Sequence, residues 1–139
     1  MPAEIFNIII EGYWREHNKA GIPSQPGIFC VYACISDPEL QEVSTSKLIY
    51  VGAAENVKEI IASDESLRHW QSYLSAGEQL CFTFGPLESA FLERCAAAIV
   101  FVHKPPANSG ASIEKFQYER TIITLSGHTP FLKNTFLVT

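Results

Sequence analysis

The stretch that most constrains this chain is "GIFCVYACI", Gly27 to Ile35. It is apolar throughout, rich in β-branched and aromatic residues, and bounded by Pro26 before it and the polar "SDPELQEVSTS" after it. A short run without polar alternation reads as a central strand covered on both faces. No apolar run approaches bilayer length, and "MPAEIFNIII" has Glu4 and no basic residue before its apolar stretch, so neither a membrane span nor a secretory signal is expected.

The remaining elements arrange themselves around that strand. "IFNIIIEGYW" (Ile5 to Trp14) reads as a strand, and "REHNKAGIPSQP" as a polar turn region closed by Pro23 and Pro26. "SDPELQEVSTS" reads as a loop and "KLIYVG" as the next strand. Asn56 is placed to cap a short helix reaching about Ala62. Asp64 to Gly77 carries Leu67, Trp70 and Leu74 at helical spacing before a stop glycine, and "QLCFTFG" (Gln79 to Gly85) returns to strand. Pro86 to Lys104 is expected as the longest helix, opened by Pro86 and ended before Pro105. "ERTIITLSG" and "NTFLVT" read as two strands joined by a turn at Ser126–Gly127. The whole predicts one α+β domain over residues 1–139, with a small, mostly antiparallel sheet flanked by helices.

Composition bears on partners. Hydrophobic content of 47% and charged content of 18% describe a folded domain. Ten Lys and Arg stand against fifteen Asp and Glu, a net charge of −5, and the basic residues are scattered. Because nucleic-acid affinity rests largely on phosphate neutralisation by cations, this balance disfavours such a partner. Another protein is the expected partner, and a membrane is not. Cys30, Cys34, Cys81 and Cys95 lie in apolar stretches without a CxxC pair, which predicts buried free thiols and a cytoplasmic setting.

Three motifs in order carry a resemblance: "PGIFCVY" at Pro26 to Tyr32, "LIYVG" at Leu48 to Gly52, and "HKPPAN" closing the long helix at His103 to Asn108. Together they resemble the GIY-YIG nuclease superfamily over Pro26 to Asn108, with an extra N-terminal strand and a C-terminal hairpin outside that core. The resemblance implies phosphodiester hydrolysis with one divalent metal ion. One tyrosine helps to generate hydroxide and a second supports it. An arginine stabilises the phosphate, a glutamate on the long helix holds the metal, and a late asparagine braces the site.

Placed residue by residue, that machinery is depleted. The first tyrosine falls on Phe29, the arginine on Ile60 and the metal glutamate on Ala96, while Tyr50, Gly52 and Asn108 are present. A histidine often found beyond the arginine falls on Asp64, which is unfavourable beside phosphate. Phe29 can neither take nor relay a proton, Ile60 offers no guanidinium, and Ala96 cannot anchor a cation. The expectation is therefore a nuclease fold that has lost hydrolysis, its former site refilled with hydrocarbon, kept as a binding or regulatory domain with no cofactor.

Two alternatives remain open. Glu93 lies one helical turn before Ala96 and would serve as metal ligand in a weak or substrate-restricted endonuclease using Tyr50 and Mg²⁺ or Mn²⁺. A non-cleaving nucleic-acid-binding module is the other. Arg94 and Arg68 are conceivable substitutes for the arginine, although Arg94 reads more simply as a solvated helix-face residue. His103 could touch a ligand, but reads more simply as a cation at a helix C-terminus. Trp70 reads as core, and "GYW" (Gly12 to Trp14) either as packing over the sheet edge or as an exposed contact. His17 and His128 show no metal-ligand spacing, and Ser126–Gly127 lacks the strand–elbow–helix setting of a serine hydrolase.

Overall fold

The computed structural model describes residues 2–37, 39 and 42–139, with the side chains of residues 37, 42, 111 and 112 excepted. The order is β1 (Glu4–Arg15), β2 (Gly27–Asp37), β3 (Glu42–Ala54), α1 (Val57–Ile61), α2 (Asp64–Gln71), β4 (Gln79–Pro86), α3 (Leu92–His103), α4 (Ala111–Glu114), β5 (Thr121–Gly127) and β6 (Thr135–Val138). The strands form one six-stranded sheet in the order β3-β2-β4-β1-β5-β6, antiparallel at every junction except β1–β5. The α+β class, the helices interrupting the strands and the mostly antiparallel sheet are as the sequence predicts.

β2 is central, and every residue from Gly27 to Cys34 is buried. Because successive side chains alternate across a strand, it feeds two cores. Ile28, Cys30, Tyr32 and Cys34 join the core beneath α3, which also takes Phe6, Ile8 and Ile10 of β1 and Ile123 and Leu125 of β5. Phe29, Val31 and Ala33 join the opposite core, which α1 and α2 close with Val57, Ile61, Leu67 and Trp70. Ala97 and Ala98 of α3 are buried, giving the close packing that small residues permit.

Four expectations on local structure are corrected. The segment read as a loop after Ile35 is largely a hairpin arm. β2 runs on to Asp37 and β3 begins at Glu42, because the ladder continues through Cys34↔Thr45 and Ser36↔Val43. Pro38, Leu40 and Gln41 of that segment lie outside the described residues. Pro86 ends β4 instead of opening a helix, since Gly27↔Pro86 extends the ladder and the Leu87 N–H donates to the Pro26 carbonyl at 3.2 Å. A proline without an N–H is tolerated at a strand end, and α3 starts only at Leu92 after a 3-10 turn over Ser89–Phe91.

α2 stops at Gln71, six residues before Gly77. The Ser72 hydroxyl donates to the His69 carbonyl at 2.6 Å, and tight N–H bonds from Tyr73 to Trp70 and from Leu74 to Gln71 close the last turn. Finally, Ser126 and Gly127 are strand residues paired with Ile9 and Ile10, and the connection to β6 spans 128–134. Gly127 has φ +89°, and a Cβ there would meet the Ile10 carbonyl oxygen at 2.1 Å. Close backbone approach is what the glycine serves.

The cysteines are corrected too. Cys34 and Cys81 form a disulfide, with Cα atoms 6.2 Å apart, whereas Cys30 and Cys95 are free and buried. Cys34 faces Gln79 and Cys81 faces Tyr32 across β2–β4, so the two thiols are diagonal neighbours on one sheet face. Burial pushes the Cys30 thiol up to about 11 and the Cys95 thiol up to about 12, which keeps both protonated and unreactive at neutral pH. With its ends 47 positions apart in sequence, the disulfide removes about 4 kcal/mol of loop-closure entropy from the unfolded chain in the entropic treatment. Replacing both cysteines (Cys34→Ala with Cys81→Ala) is expected to lower stability by about 2–4 kcal/mol, read as a fall in the urea midpoint with a steeper slope, since the unlinked unfolded chain exposes more surface. A midpoint unchanged from the wild type would show that the cross-link adds nothing.

Candidate functional site

The site follows from where β3 ends. β3 is the outer strand of the sheet, so one side of it has no strand partner. The chain after α3 supplies one. The Ala107 N–H donates to the Ile49 carbonyl at 3.0 Å. Asn108 Oδ1 accepts the Val51 N–H at 3.0 Å, and its Nδ2 donates to the Val51 carbonyl at 2.8 Å. One side-chain amide thus satisfies both groups of one edge residue. A sheet edge left open invites solvent or a foreign strand.

Gly52 shapes the other wall. A Cβ at this position would sit 2.7 Å from Phe29 Cζ and 2.7 Å from Tyr50 Cε2, so the glycine makes room for two ring edges. Behind it the aromatic rings stack in sequence, with Phe29 and Tyr50 centroids 5.9 Å apart and Tyr50 and Trp70 centroids 5.6 Å apart. Phe29 is 2% exposed and Trp70 is core, as expected. Tyr50 is half-buried, and burial raises its phenol above the ordinary tyrosine range. A phenol shifted that way stays protonated at neutral pH and donates hydrogen bonds; it is not poised as a base.

Between β3, α3 and the segment after α3 lies an open cavity of about 360 Å³. Tyr50, Gly52, Ala96, Asn108 and Glu93 all line it, so five of the positions singled out in the sequence meet in one place. Ser109 and Tyr118 also line it and were missed, because nothing in their local spacing marks them. Ile60 does not line it; it sits on α1, 40% exposed. The expectation of a site refilled with hydrocarbon is therefore corrected. Phe29 is packed into the core behind the cavity, Ile60 faces solvent, and Ala96 leaves its share of the space open.

The charge in the cavity is one-sided. Among the described residues its lining holds one carboxylate, Glu93, and no Lys or Arg. At the place where the resemblance puts the metal ligand stands Ala96, which offers no oxygen, and Asn108 Oδ1 already accepts the Val51 N–H, so the residues present do not fit a divalent metal there. Among the described residues no three His, Cys, Asp or Glu side chains group as a metal site.

The other candidates lie elsewhere. Arg94 is not a free helix-face residue. Its guanidinium bonds the Thr121 hydroxyl at 2.9 Å, the Glu4 carboxylate at 3.1 Å and the Arg120 carbonyl at 3.1 Å, and it lies over the Phe6 ring. It ties α3 to β1 and β5. Arg68 leans on its own helix, where Nε donates to the Asp64 carbonyl at 3.4 Å. Trp14 packs against the core closed by α1 and α2, and Tyr13 stacks on His128 with centroids 4.7 Å apart.

His103 is corrected from a cation to a neutral bridge. Its Nδ1 lies 2.7 Å from the Ile99 carbonyl oxygen, and Nε2 accepts the Lys133 N–H at 2.9 Å. Burial lowers the pKa of the imidazole, and nearby Lys133 adds to that, against the Ile99 bond. No protein-family model, curated protein or solved structure matches the chain.

Two predictions follow from this geometry. Asn108→Ala leaves both Val51 backbone groups without their partner and is expected to cost about 1–3 kcal/mol, with amide exchange accelerated at Val51; unchanged exchange would deny the clamp. For His103, a folded pKa below the unfolded value means that stability is fully present above about pH 6.5 and lost as pH falls through the folded pKa. Thermal melts between pH 7.5 and 5.5 should therefore show the wild type losing more stability on acidification than His103→Phe. Parallel losses would show that the imidazole binds its proton equally well in the folded and unfolded states.

Proposed function

We propose that this chain is a degenerate GIY-YIG-like domain that binds a partner, and does not hydrolyse phosphodiesters. The observation that carries the reading is the cavity beside β3. It brings Tyr50, Gly52 and Asn108 together, yet offers an alanine at the metal position and a single carboxylate as its only charge among the described residues. Phosphate needs cations or free N–H donors, and a carboxylate facing it is repulsive. The Asn108 amide is spent on backbone, and Tyr50 is held in its proton-donating form. Another protein is the partner that a chain of net charge −5 with such a cavity favours over nucleic acid.

One observation favours a second reading. Glu93 lines the same cavity as Tyr50, one turn along α3 from Ala96, so a carboxylate is present near the family position. Under this reading the domain is a weak, metal-dependent endonuclease. A titration of Mg²⁺ and Mn²⁺ against branched and nicked DNA separates the two. The wild type is expected to leave the DNA intact, while Phe29→Tyr, Ile60→Arg and Ala96→Glu combined restore cleavage. Phe29 Cζ lies against Gly52, which lines the cavity, so a hydroxyl added there is placed next to that residue. Cleavage by the wild type that disappears in Glu93→Ala would establish the endonuclease instead.

A further inference from the structure

The cavity beside β3 is one half of a longer groove. A second open cavity, of about 340 Å³, continues it toward the start of α3, and the two share Ala53 and Glu93. The joined groove follows the chain from Tyr50 to Glu55, about 17 Å at the rise of a strand, which is the length of about five extended residues. Small side chains make up much of its lining, among them Ala53, Ala54, Ala90 and Ala96. Two carboxylates, Glu93 and Glu55, are its charges, and among the described residues no Lys or Arg lines either half. Neither carboxylate is in an ion pair among the described residues. Arg94, next to Glu93 in sequence, is already spent on Glu4 and Thr121.

The backbone at the middle of the groove is unspent as well. On the outer edge of β3 the Ile49 carbonyl is taken by Ala107, and both Val51 groups are taken by Asn108. Alternate residues of an antiparallel strand aim their N–H and C=O to the same side, and the register is unbroken from Val51 to Ala53. The Ala53 N–H and C=O therefore face outward too. No side chain or loop among the described residues bonds them.

We propose that this groove takes an extended, arginine-bearing segment of a partner protein, which pairs its main chain with Ala53 and sets its cations on Glu93 and Glu55. The inference rests on the reading above that the domain binds a protein, and it names the kind of segment bound. Two independent features select that occupant. An outward N–H and C=O on a sheet edge match the main chain of an added strand, whereas a polyamine or a metal ion has no acceptor for the N–H. Two carboxylates without a cation match guanidinium groups, which bind carboxylate through paired hydrogen bonds. The small apolar lining suits the methylene stems of such side chains, and the Tyr118 ring suits a guanidinium plane. A phosphodiester chain laid along the same path meets both carboxylates and is repelled.

Fluorescence anisotropy with a labelled heptapeptide, carrying arginine at alternate positions between alanines, tests this on the full chain alongside amide NMR. The wild type is expected to bind saturably, with the Ala53 amide shifted and its exchange slowed. Glu93→Gln with Glu55→Gln should raise the dissociation constant about tenfold. Glu11→Gln with Glu16→Gln removes the same charge from exposed residues outside the groove, and should leave binding within about twofold. All four glutamates are exposed, so the variants should keep the wild-type circular dichroism. Equal loss in both pairs overturns the proposal, because attraction would then belong to the net charge. Spermine binding as tightly as the peptide, with the Ala53 amide unmoved, also overturns it. No saturable peptide binding up to millimolar concentration overturns the choice of segment, while intact DNA in the cleavage assay would leave the protein-binding reading standing. Binding of branched DNA that shifts the same amides overturns both.

Discussion

The burial of β2 on both faces is the constraint on which the rest of the structure depends. Its odd and even residues enter separate cores, so a one-residue slip would exchange Phe29, Val31 and Ala33 with Ile28, Cys30 and Tyr32. Each core is shaped for its own set. The α3 side accepts Tyr32 only because the phenol reaches the Pro130 carbonyl at 2.9 Å, which also pins the β5–β6 connection to the centre of the sheet. The α2 side accepts Phe29 because Trp70 and Tyr50 pack against its ring and Gly52 has no Cβ to obstruct it. The disulfide from Cys34 to Cys81 fastens β2 to β4 at the point where the buried run gives way to an exposed hairpin.

From this strand the site takes its position. β3 is held on one side by the ladder to β2, and on the other by Ala107 and Asn108. Asn108 therefore has a structural task independent of any reaction, that of standing in for a missing strand. Tyr50 likewise has a packing task between Phe29 and Trp70. A chain could lose every step of a hydrolytic mechanism and still need both residues to close its sheet edge and fill its core. Their presence beside an alanine at the metal position is what such a division of labour would leave.

Much of this was legible in the residues because it rests on local pattern. The unbroken apolar run of β2, the Asn56 cap whose Oδ1 accepts the Glu59 N–H at 3.1 Å, and Leu67 with Trp70 on one face of α2 all follow from short-range periodicity. What escaped depends on pairing between distant segments. The Cys34–Cys81 bond joins strands 47 residues apart, and no local spacing announces it. The strand character of Glu42 to Ser46 comes from the ladder with β2, since its polar residues would suit a loop equally well. Pro86 looked like a helix opener because that is a common local use of proline, but the β2–β4 ladder claimed it first. At the site, Tyr50, Ala96, Glu93 and Asn108 were found by motif order, whereas Tyr118 enters the cavity from a segment with no motif at all.

The three positions where the resemblance expects polar chemistry stand in physically different surroundings, and the difference bears on the proposed function. Phe29 is part of the core, so restoring a hydroxyl there must accommodate Gly52 and Tyr50. Ile60 projects 40% of its surface into solvent from a helix outside the cavity, where hydrocarbon gains nothing from burial. Ala96 lines the cavity and leaves it open. Had the site simply decayed into core, all three would be buried and the cavity filled. Instead a concave surface persists beside β3, with two tyrosines on its walls and a carboxylate as its charge. Near such a carboxylate a polyanion is disfavoured and a cationic protein side chain favoured, by an interaction between unit charges of about 1–4 kcal/mol at 4 Å, depending on how far water is excluded. An open space whose one charge is opposite to what phosphate requires is the physical support for the proposal that it binds a molecule other than nucleic acid.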